Sequence, residues 1–177
     1  MPATKIGATS LLESLLKGAQ EGMRFIAETF NIETLDDSGE TSAENNSSVI
    51  LLVTVGESRL LFTGDAGIPA LTAAVDFANS RGIDLATLAF LQVPHHGSKR
   101  NIGPTILSRI LAPTAFISAS RNGSPKHPAK KVVNALIRRN AKVYATQGKG
   151  LCHPRCVVPR PGWSSAQALP FYDQVEE

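Results

Sequence analysis

Apolar positions along the chain switch between a helical and a strand period, and the switching divides the sequence into alternating elements. From residue 10 to about 30, Leu11, Leu12, Leu15, Leu16, Ala19, Met23, Ile26 and Ala27 recur at helical spacing. This predicts a helix behind a Thr9/Ser10 cap, with Gly18 and Gly22 as places where it could break. Residues 36–48 are rich in Ser, Asn and acids and predict a polar loop. Residues 49–55 and 59–63 read as two strands joined as a hairpin around Gly56-Glu57-Ser58. Residues 68–80 read as a helix, with Pro69 in its first turn and Arg81-Gly82 at its end. The apolar run 85–93 reads as a buried strand, 104–111 as a short helix, 113–119 as a strand, 128–140 as a helix dense in bases and 141–145 as a last strand. Alternation of this kind predicts an α/β layered fold.

Length allows one sizeable core in 177 residues of which 42% are hydrophobic. No stretch reaches the about 18 consecutive apolar residues of a membrane span, and the first residues lack the regions of a signal peptide. The expectation is a soluble, cytoplasmic protein with no membrane partner. The organisation expected is one domain over residues 1–150 and a tail over 151–177, which holds four of the eleven prolines and the only Trp. In that tail Trp163, Phe171 and Tyr172 can serve either to stack on bases or to clamp the tail onto the domain. Cys152 and Cys156 flank His153, too few ligands for a structural zinc site by themselves. Gly148-Lys149-Gly150 lacks the surrounding pattern of a phosphate loop and reads as a turn.

Charge changes the picture more than composition does. Residues 85–172 contain no Asp or Glu but thirteen Lys and Arg, whereas residues 1–84 carry twelve acids against five bases. A field of this polarity draws a polyanion, with nucleic-acid phosphate the first candidate. The competing reading is a basic face offset by the acidic half of the same molecule or by a partner chain.

Chemistry-bearing residues fall where predicted strands end. Asp65 follows Leu60-Leu61-Phe62, with Gly64 letting the backbone turn, and His95 and His96 follow Leu91-Gln92-Val93, with Pro94 before them and Gly97 after. Carboxylate and imidazole together suit zinc or manganese, on which bound water becomes a nucleophile near neutral pH. The structural alternative is a Gly-Asp turn and two surface or capping histidines.

These strings also carry a resemblance. Asn45-Asn46-Ser47-Ser48-Val49-Ile50-Leu51, Leu60 to Asp65, Leu91 to Ser98, Ile117-Ser118 and Asn122 to Pro128, in this order, resemble the C-terminal half of the metallo-β-lactamase superfamily. Within it they are most similar to the hydrolase domain of ComEC-type competence proteins. The resemblance implies a partial αββα sandwich, a mixed sheet with flanking helices, and metal-assisted hydrolysis, often of phosphodiesters. Residue by residue it implies Asp65 as a metal-ligand aspartate and His95 or His96 as a site histidine, so that Asp65, His95 and His96 are the catalytic and metal-binding candidates, with the choice between the two imidazoles open. Ser118, Asn122 and His127 match a segment of substrate contacts or water positioners, with helix capping the competing role for His127. Lys99 and Arg100 join them as substrate-binding candidates from the basic half.

One departure is large. The family's His-x-His-x-Asp-His motif has no match, since the four histidines are His95, His96, His127 and His153. Residues 1–30 resemble the stretch after that motif, including a helix that packs onto the sheet. The chain is therefore expected to be a fragment, a piece of a split protein or a domain that kept the fold and lost the metal. Zinc or manganese binding is expected to be weak or absent in this chain alone, and hydrolysis slight. The alternative function is a non-catalytic module that binds nucleic acid or protein. A bare sheet face, with Val49, Leu51, Val53 and Leu60 among its residues, predicts a homo-oligomer or a missing N-terminal half that covers it.

Overall fold

Which residue of each strand faces the helices decides the architecture. The computed structural model describes residues 6–30, 32–124, 126–153, 161–162 and 164–175. Its elements are α1 (Ile6–Thr29), α2 (Ala43–Asn46), β1 (Leu51–Val55), β2 (Ser58–Phe62), α3 (Ile68–Ser80), β3 (Phe90–Gln92), a 3₁₀ turn (His95–Gly97), α4 (Pro104–Leu107), β4 (Thr114–Ile117), α5 (Lys130–Arg138) and β5 (Lys142–Ala145). The strands form one sheet in the order β1-β2-β3-β4-β5, antiparallel between β1 and β2 and parallel elsewhere. This is the α/β layering that the alternating pattern predicts and the mixed sheet with flanking helices that the resemblance implies.

Register aligns Leu61, Leu91, Ala115 and Val143 across four strands, and all four are buried. They share one cluster with Leu71, Val75 and Ala78 of α3, Ile106 and Leu107 of α4, and Val132, Val133, Ala135 and Leu136 of α5. Alternate positions face the other way. There Phe62, Phe90, Phe116 and Tyr144 stand side by side, with successive ring centroids 5.6, 5.1 and 5.5 Å apart. The His153 ring packs tilted against Phe90 at 5.5 Å and edge-on to Phe116 at 6.0 Å. Towards β1 this second face is uncovered by any described residue, and Val49, Leu51, Val53 and Val55 are exposed while Leu60 is half-buried.

Several elements differ from the pattern-based expectation. α1 starts at Ile6, ahead of the predicted cap, and runs unbroken through Gly18 and Gly22. It does not lie along the sheet: Leu11, Leu12, Leu15, Leu16, Met23 and Ile26 are all more than half exposed. Only its last turns dock, where the buried Glu28 carboxylate accepts hydrogen bonds from Asn134 Nδ2 (2.9 Å), Arg138 Nη2 (2.5 Å) and Thr34 Oγ1. The polar loop contains α2, capped by Ser42. Of the apolar run 85–93 only three residues are strand. Leu85 and Leu88 are buried instead in a connection bonded to Leu111 at both ends, a use of apolar residues that periodicity cannot separate from a strand. α4 is one turn, shorter than predicted.

The end of the chain closes onto the parallel edge. Leu169 N–H donates to the Val143 carbonyl at 2.8 Å, and Tyr172 exchanges backbone bonds with the Asn134 amide at 2.8 and 2.7 Å. Phe171 lies under the Arg138 guanidinium at 5.0 Å and Tyr172 under Lys130 at 5.6 Å. Phe171 and Tyr172 therefore act as the clamp; Trp163 and Cys156 lie outside the described residues. Cys152 is exposed and not in a disulfide, and His153 is taken up by ring packing. Among the described residues no helix is long and apolar enough to cross a membrane.

Part of the charge is settled within the molecule. Arg109 pairs with Asp76 at 2.5 Å, Arg138 with Glu28 at 2.5 Å and Arg139 with Glu33 through both nitrogens at 2.7 and 3.1 Å. Three cations of the basic half thus meet acids of the acidic half, so part of the sequence polarity is internal neutralisation.

Candidate functional site

Two loops leave the ends of the parallel strands β2 and β3 together and are clipped to each other by one side chain. Gln92, at the end of β3, accepts from the Thr63 and Gly64 N–H groups at 2.9 and 3.0 Å through Oε1 and donates to the Val93 carbonyl at 2.8 Å. Thr63 Oγ1 donates to the Gln92 carbonyl at 2.7 Å, and His95 N–H to the Gly64 carbonyl at 3.0 Å. Asp65 is then held from two further sides. Its N–H donates to Ser48 Oγ at 3.2 Å, and its carbonyl accepts from the buried Asn101 amide at 2.9 Å. The Asp65 side chain itself is exposed.

The histidine turn is built under backbone strain. His95 and His96 sit at φ 43° and 57°, in the left-handed region, and Gly97 follows at 78°. Two non-glycine residues there cost about 1–3 kcal/mol each and persist where surroundings over-determine them, commonly at functional sites. Gly97 is required twice over, since a Cβ would lie 2.8 Å from Pro128 Cβ and 3.2 Å from Ile117 Cγ2. Its carbonyl accepts from Ala129 N–H at 3.0 Å, locking the turn to the start of α5.

This lock brings in the third imidazole. Ring centroids of His95 and His96 are 5.7 Å apart, and each is 6.3 Å from His127. His127 does not cap α5, whose N-cap is Ala129 with no side-chain bond. His96 Nδ1 lies 2.5 Å from the Ser118 carbonyl. A carbonyl only accepts, so Nδ1 carries a proton in this contact. Nδ1 of His95 and of His127 are buried with no hydrogen-bond partner. Burial, reinforced by the charges of His95 and His96, holds the His127 imidazole below its ordinary value near 6.5, which favours the neutral, lone-pair-bearing ring.

Of the residues singled out from sequence, His95, His96 and His127 therefore form one cluster, Ser118 supports it through its carbonyl, and Asp65 adjoins it through the clipped loops. Asn122 sits in an exposed turn where its N–H donates to Ser120 Oγ at 3.3 Å. Lys99 and Arg100 point elsewhere, into a cavity whose lining includes none of the histidines. Sequence reasoning missed Gln92, Ser48 as a partner of Asp65, and Asn101. The available signal for Gln92 was a single amide at the end of an otherwise apolar run. Among the described residues no three His, Cys, Asp or Glu side chains converge closely enough to hold a metal ion.

Against known proteins, the chain is similar to ComE operon protein 3 of Bacillus subtilis, at 29% identity over 114 residues, 64% of this chain and 14% of that one. It is similar to Recombination protein 2 of Haemophilus influenzae at 36% identity over 111 residues, 62% of this chain and 13% of the relative. It also resembles the uncharacterized protein YcaI of Escherichia coli, at 32% over 112 residues, 63% and 14%. The chain thus spans about one-seventh of the length of these curated relatives. No family model matches it, and no solved structure does.

Proposed function

We propose that this chain is part of a metallo-β-lactamase-type hydrolase domain acting on phosphodiester bonds of nucleic acid, and that it holds only half of the metal site. The observation that carries this reading is the triangle of His95, His96 and His127 beside Asp65, built on a strained turn at the ends of parallel strands. Similarity to a protein named for recombination supports nucleic acid as the substrate class.

Zinc and manganese suit these donors, and the unpartnered His95 and His127 nitrogens fit a ligand role. The set does not converge, however, and catalytic zinc needs about three protein ligands, so the described residues do not by themselves fit a bound ion. Remaining donors are to come from a segment covering the bare end of the sheet, either the N-terminal half of the sandwich or a second copy. Exposed Leu51, Val53 and the leucines of α1 support such a layer. Metal analysis of the purified chain after dialysis against zinc and then manganese tests the reading. Substoichiometric, weakly held metal is expected, rising when an upstream segment is included; tight one-to-one retention by the chain alone overturns the half-site.

A second reading, a binding module without catalysis, is favoured by the same lack of convergence. It predicts DNA binding with no metal uptake in either the short or the extended protein.

A further inference from the structure

Lys131 is 5% exposed, yet no hydrogen bond or ion pair holds it among the described residues. It sits in the first turn of α5 and lines a cavity of about 410 Å³ with Arg24, Lys99, Arg100, Leu35, Ser38 and the carboxylates Asp36 and Glu40. Even with Arg24 left out of the count, Lys99, Arg100 and Lys131 face two acids. Asp36 is already engaged, because the Ser38 side chain and the Ser38 N–H at 3.0 Å both donate to its Oδ1. Neither carboxylate forms an ion pair with Lys99, Arg100 or Lys131 among the described residues. The cavity therefore keeps a positive excess around Lys131, whose stem is buried in its wall.

Its walls are fixed. Asp37 accepts from Thr105 N–H at 3.2 Å and from Thr105 Oγ1 at 2.6 Å, which pins the 36–40 loop to the start of α4. Gly39 meets the Arg100 backbone so closely that any Cβ would collide with its carbonyl. On the other side, Ser98 Oγ accepts from the Arg100 N–H at 3.2 Å. Burial depresses the Lys131 ammonium, and Lys99 and Arg24 push the same way while Asp36 and Glu28 oppose. An anion entering the cavity would relieve both the desolvation and the crowding of cations.

We propose that this cavity is a binding site for a phosphate group, with Lys131 as its buried anchor and Lys99 and Arg100 at its mouth. A tetrahedral dianion fits the volume and offers enough acceptor oxygens for three ammonium or guanidinium donors. The inference stands apart from the metal-hydrolase reading, because none of the candidate metal donors lines the cavity. The phosphate can belong to a free nucleotide or to the backbone of a nucleic acid.

Isothermal titration of the full chain at low salt with inorganic phosphate, 5′-dAMP and a single-stranded thymidine oligonucleotide tests this. Saturable phosphate binding is expected, and Lys131→Met weakens it by about tenfold or more. Met retains the aliphatic bulk of the buried stem, and far-UV circular dichroism checks that the variant folds. The surface variant Lys99→Gln/Arg100→Gln, which leaves the core untouched, is expected to weaken phosphate binding too. If oligonucleotide binding falls alongside phosphate in Lys131→Met, the site takes backbone phosphate; if only phosphate and 5′-dAMP binding fall, it takes free phosphoryl groups. No phosphate binding by the native chain, or unchanged binding by a folded Lys131→Met, overturns the proposal.

Discussion

Opposite faces of one sheet meet different fates in this protein. Leu61, Leu91, Ala115 and Val143 are sealed under α3, α4 and α5. On the opposite face Phe62 of β2 and Leu51 and Val53 of the neighbouring β1 stand exposed, while Phe90, Phe116 and Tyr144 gain cover from one another and from His153. Both faces are apolar, so hydrophobicity does not distinguish them. Cover does. The difference teaches that a pleated strand with two apolar faces declares two layers, of which the described residues supply one in full.

The sharpest way to break the comparison is truncation on each face. Leu91→Ala, at 1% exposure, is expected to cost about 2–5 kcal/mol in urea unfolding, because the cavity it opens is enclosed by three helices. A cost below that range would mean that the helix layer is looser than its packing implies.

Acid tests the covered side by another route. Burial alone would raise Glu28, but hydrogen bonds from Arg138, Thr34 and Asn134 outweigh it and hold the carboxyl below its usual value near 4.5. A depressed carboxyl contributes stability that is fully present above the unfolded value and is lost as pH falls through the folded one. Docking of the end of α1 onto α5 should therefore weaken as pH drops below about 4.5, and Glu28→Gln should flatten that part of the stability profile. A wild-type profile flat through this range would count against the buried pair.

The smallest effect belongs to the bare face. Leu51→Ser/Val53→Ser is expected to change stability of the chain by less than about 0.5 kcal/mol per site, since both side chains already meet solvent. A loss comparable to that of Leu91→Ala would place a covering layer over β1 in solution, and light scattering would then identify it as a second copy.

Much of the candidate site was legible because its residues sit at punctuation. Gly64 and Gly97 mark turns that end apolar runs, and Asp65, His95 and His96 follow directly. His127 was harder, being more than thirty residues from His95, with its role as a cap or a site residue open until the Gly97–Ala129 bond placed it. Lys99 and Arg100 were grouped with the histidines by adjacency in sequence, whereas after Gly97 they line a cavity whose lining includes none of the imidazoles. Lys131 gave no signal at all, because a lysine in an amphipathic helix normally lies on its wet face.

Local rules determined the elements themselves: a period of two for β1 and β2, proline at the start of α3, and the polarity of the two halves. Short-range chemistry suffices for these, since spacing and turn residues act within a few positions. Tertiary structure alone decided that Gln92 ties two strand ends together, that Arg109, Arg138 and Arg139 spend their charge on Asp76, Glu28 and Glu33, and that α1 projects its leucines into solvent. Each of these joins residues far apart in sequence, and no periodicity encodes which distant partner will arrive, because that choice is made by the packing of the whole sheet against its helices.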